Sequence, residues 1–219
     1  SLKILRHILR LYIMSVYTEY LEITPGNLRP EQEKIIKQTF EKDGVIAYPT
    51  DSGYALGCKM GSTSAQKRIQ LIREFSERHN FTLMCRDLSE IAKYAFVNTP
   101  NYRVLKKFTP GAFTFILPAT SEVPKIMQNK TKKTIGIRVS DHPAAADLCT
   151  ILGKSFLTVS LILPNKSNPL IDAEEVQEHL NEQIDLILDC HYCGFEPTTV
   201  LDLTEAPIKI LRKGAGIFE

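Results

Sequence analysis

The chain has 219 residues, of which 43% are hydrophobic and 24% are charged. This composition is typical of a globular protein, and it argues against collagen, a coiled coil, a disordered chain or a small disulfide-bonded scaffold. No stretch approaches the about 20 consecutive apolar residues of a membrane-spanning helix, so we expect no membrane partner.

Charge is distributed unevenly along the chain, although the net charge is only +2. Residues 101–170 carry 10 Lys and Arg against 3 Asp and Glu, whereas residues 171–219 carry 3 against 11. The basic stretch would attract phosphates or nucleic acid. The alternative is a solvated basic loop whose charge is offset by the acidic C-terminal third. The lysines in question are Lys125, Lys130, Lys132 and Lys133.

The five cysteines are odd in number, which favours reduced, buried thiols in a cytoplasmic protein over a disulfide framework. Cys190 and Cys193 form a lone C-x-x-C pair. A zinc site needs two further ligands at suitable spacing, and the sequence offers no such second pair. We therefore expect no structural metal.

Residues 1–27 are predicted to be an N-terminal extension and lead-in, because basic residues interrupt the apolar run that a signal peptide requires. Residues 28–219 are predicted to form a single domain in which helix and strand patterns alternate. Helices are expected from Pro30 to before Gly44 and over 64–75, 88–96, 143–152 and 173–180. Strands are expected over 45–48, 81–85, 113–117, 134–139, 156–163, 184–188, 199–203 and 208–211. This alternation predicts an α/β fold with a mixed, twisted sheet.

Short polar motifs lie at the ends of several predicted strands. They include P-T-D-S-G-Y (49–54), T-P-G-A-F-T (109–114), I-R-V-S-D-H-P (137–143), L-T-V-S (157–160) and P-T-T-V (197–200). Taken singly, each motif is more typical of a turn or a helix cap, and His142 alone is interpreted as a capping residue. Because ligands of open α/β sheets bind at strand ends, the motifs together predict a pocket of hydroxyls and arginine for a nucleotide and an amino acid.

Five segments resemble, in order, the signature blocks of the YrdC/YciO family: P-T-D-S-G-Y (49–54), T-P-G-A-F-T-F (109–115), I-R-V-S-D-H-P (137–143), P-T-T-V-L-D-L (197–203) and I-L-R-K-G (210–214). The segments Y-P-T-D-S-G-Y-A-L-G-C-K (48–59) and H-N-F-T-L-M-C-R-D-L (79–88) resemble its YciO branch in particular. The resemblance implies a twisted open mixed sheet with helices on both sides and a basic concave cavity. Its best-known members make L-threonylcarbamoyl-AMP from threonine, bicarbonate and ATP for tRNA threonylcarbamoyladenosine modification, and members also bind double-stranded RNA.

The resemblance also implies roles for individual residues, although it assigns no catalytic group. ATP would be a substrate accompanied by Mg²⁺, which phosphates and water would hold. The substrate-binding residues would be Thr50, Ser52, Arg138, Ser160 and Thr198. The nucleotide-binding residues would be Arg73, Thr114, Thr158 and Arg212, and the four lysines would bind tRNA or double-stranded RNA. We expect Thr50, Thr114, Arg138, Ser160 and Arg212 to converge on one concave surface, with the lysines at its edge.

Two positions depart from the synthase pattern. The synthases carry K-x-R where this chain has Arg73-Glu-Phe75, and S-T-S-A-N where it has Thr158-Val-Ser-Leu-Ile162. A lost charge-assisted phosphate contact costs about 1.5–3 kcal/mol, so we expect weakened ATP binding that Phe75→Arg would tighten about tenfold. Arg78, His79 and Arg86 could compensate or could be ordinary surface residues. Three hypotheses stay open: a weak synthase, an RNA-binding protein without synthase activity, and an enzyme that acts on another small molecule.

Overall fold

The computed structural model describes residues 16–74 and 81–219. The sequence-based expectations for Phe75, Arg78 and His79, and for the first 15 residues, lie outside the described residues. The strands are β1 Glu19–Glu22, β2 Val45–Thr50, β3 Gly53–Cys58, β4 Thr82–Met84, β5 Phe113–Pro118, β6 Thr134–Arg138, β7 Phe156–Ser160, β8 Leu186–Asp189, β9 Thr199–Asp202 and β10 Lys209–Arg212. The helices are α1 Pro30–Glu41, α2 Thr63–Arg73, α3 Leu88–Tyr94, α4 Thr99–Phe108, α5 Pro143–Leu152 and α6 Ala173–Leu180.

The strands form one ten-stranded mixed sheet in the order β1-β8-β2-β3-β7-β4-β6-β5-β9-β10. The pairs β1/β8, β2/β8, β4/β6 and β5/β9 are parallel, and the remaining pairs are antiparallel. The predicted α/β fold with a mixed sheet is confirmed. The sheet also brings together segments that are far apart in sequence, which is how the polar motifs come to share one surface.

Successive residues of a strand point to opposite faces of the sheet. Apolar residues of the buried strands therefore lie on both faces, and helices cover both. On β2, Ala47 packs into the cluster that contains Ile69 of α2, whereas Tyr48 packs into the cluster that contains Phe40 of α1 and Leu148 of α5. Burial of these apolar side chains is the main source of stability for both layers. Helices on both sides of the sheet are therefore confirmed.

Three elements were not predicted from the sequence. Strand β1 lies within the predicted lead-in 1–27 and pairs with β8 in parallel, so this part of the chain extends the edge of the sheet. Strand β3 contains two glycines, which depress strand propensity. Helix α4 has a proline in its first turn, and its cap is Asn98, whose side chain accepts from the backbone N–H of Asn101 at 2.8 Å. The domain boundary at residue 27 stays a prediction.

All five cysteines are free, and four of them are buried. In the C-x-x-C pair, the thiols of Cys190 and Cys193 donate to the backbone carbonyls of Tyr192 and Ile171 at 3.2 and 3.1 Å. His142 caps α5 by accepting from the N–H of Ala144, as expected for a capping residue. Within 16–74 and 81–219, no helix combines the length and the apolarity needed to cross a membrane.

One buried hydrogen bond joins β2 to β7 beneath the open part of the sheet. The hydroxyls of Tyr48 and Thr158 lie 2.6 Å apart, and Tyr48 is 0% exposed. Burial raises the pKa of Tyr48 well above its usual range. The phenol is therefore neutral at any physiological pH, and its hydroxyl depends on Thr158 for a partner.

Replacing Thr158 by Val should lower the free energy of unfolding by about 1–3 kcal/mol, because it leaves the Tyr48 hydroxyl buried without a partner. The double variant Tyr48→Phe/Thr158→Val removes that hydroxyl as well and should be more stable than Thr158→Val alone. Denaturant unfolding of the two variants and the parent chain measures the difference. A double variant no more stable than Thr158→Val would contradict this account of the pair.

Candidate substrate-binding site

An open cavity of about 200 Å³ lies on the sheet face formed by β4 to β7, β9 and β10, at the end of α2. Its lining combines cationic, hydroxyl and apolar side chains, and no carboxylate belongs to the described lining. The cations are Arg73, Arg138 and Arg212, the hydroxyls are Thr82, Thr114, Thr158, Ser160 and Thr198, and the apolar residues include Ile116, Ile162 and Val200.

Strand register explains why these side chains share one face. On β5, Thr114 and Ile116 point into the cavity, whereas the alternate residues Phe113 and Phe115 point into the core. Thr114 pairs with Val200 of β9, and Thr82 of β4 pairs with Thr158 of β7. In each strand, one set of alternate side chains packs into the core and the other set faces the cavity. The order in which the strands pair then brings these cavity-facing sets together.

Gly136 of β6 keeps the cavity floor open between these strands. Gly136 pairs with Thr82, and a Cβ atom on it would lie 2.6 Å from the Thr82 hydroxyl oxygen. Such a distance is far below ordinary van der Waals contact. A larger residue at this position would displace Thr82 into the cavity.

Arg138 is the most deeply buried cation of the cavity, with 3% of its surface exposed. Its Nη2 forms an ion pair with Asp51 and donates to the hydroxyl of Thr50 at 3.3 Å. Its Nε is buried without a hydrogen-bond partner. A buried N–H without a partner is costly, so this guanidinium has unused donor capacity beside the cavity.

Arg212 and two threonine hydroxyls form a chain across the other side of the cavity. Arg212 donates from Nε to the carbonyl of Thr198 at 2.9 Å and from Nη2 to the Thr198 hydroxyl at 2.8 Å. That hydroxyl lies 2.9 Å from the hydroxyl of Thr114. These hydrogen bonds orient the Arg212 guanidinium. Among the described residues, Arg212 has no carboxylate partner.

Burial and the neighbouring cations lower the pKa values of Arg73 and Arg212. Loss of hydration, followed by repulsion from Arg212, lowers the pKa of Arg73 to about 10. Loss of hydration also lowers the pKa of Arg212, with Arg138 as the second cause. Both groups stay charged at neutral pH. Three guanidinium groups in one cavity whose described lining holds no carboxylate give a positive potential that favours anions.

The structure brings most of the predicted site residues together. The ones that line the cavity are Arg73, Thr114, Arg138, Thr158, Ser160, Thr198 and Arg212. Thr50 and Ser52 do not line it, and both are 1% exposed in the turn behind Arg138. The Thr50 hydroxyl donates to the Gly53 carbonyl at 2.6 Å and accepts from Arg138 and from the N–H of Ser52. Thr50 therefore reaches the cavity only through Arg138.

The four lysines predicted to bind RNA lie between β5 and β6, and none of them lines the cavity. This segment packs against the start of α2, where Gln66 donates to the carbonyl of Ile126 at 2.9 Å. From there β6 extends over five residues, roughly 13 Å, to Arg138. The lysines thus lie beyond the other end of β6, and RNA binding by them stays a prediction.

Two polar residues of the site were not identified from the sequence. Thr82 lines the cavity from the short strand β4, within the YciO-like segment 79–88, to which the resemblance assigned no binding role. Asp51 lies within the P-T-D-S-G-Y motif, where sequence alone gives it no partner. In the structure, its partner is Arg138 of the I-R-V-S-D-H-P motif, which lies 87 residues away in sequence.

The residues of this cavity do not fit a resident metal ion. Its three guanidinium groups repel a cation, and its described lining has none of the carboxylates by which proteins usually bind Mg²⁺. Among the described residues, one group could hold a metal: Glu22, Asp189 and His191, whose ligand atoms lie within 4.8 Å of one another. That group lies at the β1 and β8 end of the sheet, away from the cavity.

Comparisons with known proteins agree with the motifs and the fold. A profile of the Sua5, YciO and YrdC family, described as "Telomere recombination", matches residues 38–214. An uncharacterized protein of Haemophilus influenzae is 49% identical over 91% of this chain and 97% of its own length. A threonylcarbamoyl-AMP synthase of Halorhodospira halophila is 27% identical over 83% of this chain and 94% of its own length.

The crystal structure of Escherichia coli YciO superposes with a TM-score of 0.86 and 44% identity, over 91% of this chain and 97% of that one. The resemblance inferred from the motif blocks is confirmed, and the chain belongs to the Sua5/YciO/YrdC family.

Proposed function

We propose that this protein is an ATP-dependent L-threonylcarbamoyl-AMP synthase that acts in tRNA threonylcarbamoyladenosine modification, with a weakened nucleotide site. The observation that carries the proposal is the cavity, where three guanidinium groups meet a row of threonine and serine hydroxyls and no described lining residue is a carboxylate. This combination suits a phosphate-bearing substrate next to an amino acid. The synthase of Halorhodospira halophila supplies the reaction class.

The proposed reaction needs positioning and charge neutralisation more than a covalent nucleophile. The threonine amine attacks bicarbonate and water leaves, which gives a carbamate. A carbamate oxygen then attacks the α-phosphorus of ATP, and pyrophosphate departs with the electron pair of the broken P–O bond. Arg73 and Arg212 would stabilise the phosphate charge, and Ser160 and Thr198 would orient the amino acid. Mg²⁺ would arrive with ATP, since the cavity offers it no carboxylate.

The size and lining of the cavity support a weakened nucleotide site. Its volume of about 200 Å³ is below the about 300–1,000 Å³ of pockets that enclose most of a drug-sized ligand. ATP would therefore extend from the cavity into solvent. Ile162 lines the cavity where the synthases have asparagine, so it replaces a hydrogen-bonding amide with an apolar side chain.

Turnover with radiolabelled bicarbonate, threonine and ATP tests the proposal directly, with pyrophosphate release as a second readout. We expect threonine-dependent pyrophosphate release, reduced at least tenfold in Arg212→Gln because a guanidinium group is lost from the cavity. The matched control is Lys213→Gln, which removes the same charge one residue later from a side chain outside the lining. It should retain the activity of the parent chain.

The result that would contradict the proposal is pyrophosphate release that does not depend on threonine, or none at all in the folded protein. Release that depends on another amine or acid instead would favour the third hypothesis, an enzyme that acts on a different small molecule.

Ile162→Asn should strengthen ATP binding about fivefold, because one new hydrogen bond is worth about 1 kcal/mol. Isothermal titration of ATP into the parent chain and the variant measures the change. Ile162→Val is the control, since it keeps the side chain apolar. Equal ATP affinities in all three proteins would mean that this position does not contact the nucleotide.

A second candidate function is binding of tRNA or double-stranded RNA without synthase activity. The observation that favours it is the segment between β5 and β6, in which Lys125, Lys130, Lys132 and Lys133 are all exposed. Phosphate contacts by lysines give affinity with little dependence on sequence. A cytoplasmic location, which the free thiols favour, also stays a prediction.

Changing Lys130, Lys132 and Lys133 to Glu should weaken tRNA binding and flatten its dependence on salt, because fewer counterions are released. The stability cost should be small, since each exposed lysine contributes no more than about 0.5 kcal/mol. A matched control changes Lys34, Lys37 and Lys42 to Glu, which are exposed at helix α1. Equal losses in the two triple variants would indicate a general charge effect and not an RNA site.

A further inference from the structure

The turn between β2 and β3 holds an acidic side chain directly behind the cavity. Asp51 does not belong to the lining, and its side chain is only 15% exposed. It forms an ion pair with Arg138, which does line the cavity. We infer that Asp51 is a positioning residue, which fixes the Arg138 guanidinium in the pose that an anionic substrate group requires.

Three donors hold the Asp51 carboxylate in one orientation. One oxygen accepts from Arg138 and from the Ser140 hydroxyl at 2.8 Å, and the other accepts from the N–H of Asp141 at 2.9 Å. Ser140 and Asp141 lie two and three residues after Arg138 in the sequence. The carboxylate therefore connects the turn after β2 to the end of β6. It binds the Arg138 side chain and also the two residues that fix the backbone just after it.

The turn that carries Asp51 is itself fixed by neighbouring backbone. The N–H of Gly194 donates to the Thr50 carbonyl, and the N–H of Tyr54 donates to the Leu170 carbonyl, both at 2.8 Å. A Cβ atom on Gly194 would lie 2.0 Å from the Asp51 carbonyl oxygen, so only glycine permits this approach. Asp51 is thus anchored to a rigid part of the fold.

Asp51 and Thr50 occupy one nitrogen of the guanidinium, Nη2. Nε is buried without a partner, and within 16–74 and 81–219 the structure gives Nη1 no hydrogen bond. A guanidinium held at one corner keeps its other donors in a fixed direction, which favours recognition of a planar or tetrahedral oxyanion. The inference rests on the proposed function only in taking an anionic group as the ligand.

Two effects of Asp51 on anion binding have opposite signs, and this makes the inference testable. As a negative charge near the site, Asp51 weakens the attraction for an anion, so its neutralisation would tighten binding. As a positioning residue, it holds Arg138 in place, so its neutralisation would weaken binding. The direction of the change in affinity shows which effect dominates.

Isothermal titration of inorganic pyrophosphate into the full chain provides the measurement. We expect Asp51→Asn to weaken pyrophosphate binding at least tenfold. In an Arg138→Gln background the same substitution should change affinity less than twofold, because the group that Asp51 positions is gone. Such non-additivity separates an effect that acts through Arg138 from a general loss of structure.

Asp51→Glu tests the positioning role in a single variant and guards against a misfolded Asp51→Asn. It keeps the negative charge but moves the carboxylate by one methylene, so we expect at least threefold weaker binding. A role limited to charge would leave the affinity unchanged. Thermal unfolding of each variant with and without pyrophosphate checks that the compared proteins are folded.

Tighter or unchanged binding in Asp51→Asn, or equal losses in both backgrounds, would overturn the inference. Parent protein that does not bind pyrophosphate would overturn it as well. The proposed function fails separately: if pyrophosphate binds with the expected coupling between Asp51 and Arg138 but threonine-dependent turnover is absent, the positioning role stands and the synthase proposal falls.

Discussion

The concentration of positive charge on one sheet face is the constraint on which the rest of the site depends. Arg73, Arg138 and Arg212 share a small cavity, and Arg138 forms an ion pair with Asp51 behind it. Burying these cations close together opposes folding: loss of hydration, and then repulsion from a neighbouring arginine, lowers the pKa values of Arg73 and Arg212. Folding tolerates them because Thr198 and Asp51 satisfy part of their donors, and an anion would satisfy more.

The sheet keeps these charges apart from the core, because alternate side chains of a strand lie on opposite faces. In strand β5, Phe113 and Phe115 stabilise the core, while Thr114 and Ile116 are left to the cavity. A one-residue slip of β5 against β6 would exchange these sets and place phenylalanines among the arginines. The apolar core therefore fixes the register, and the register fixes the positions of the polar groups. Packing and site geometry are determined by the same pairings.

Apolar periodicity predicted the alternating layers, because it is a local signal, whereas most of the cavity residues were expected from the family resemblance. Sequence patterns missed β3, whose glycines lower its strand propensity, and α4, whose proline lies in its first turn. They also could not separate residues that line the cavity from residues behind it. Thr114 and Thr50 both adjoin strand ends, yet the direction of each side chain depends on sheet pairings with distant segments.

The distinction matters most for Thr50, which the family resemblance assigns to the amino acid substrate. Its hydroxyl has one proton, which it donates to the Gly53 carbonyl, and its oxygen accepts from Arg138 and from the N–H of Ser52. A hydroxyl has one donor and two acceptor positions, so these three contacts use its full capacity. A substrate could gain a direct bond to Thr50 only by displacing one of them. The P-T-D-S-G-Y turn instead holds Arg138 through Thr50 and Asp51, and the arginine, not Thr50, is the group that faces the cavity.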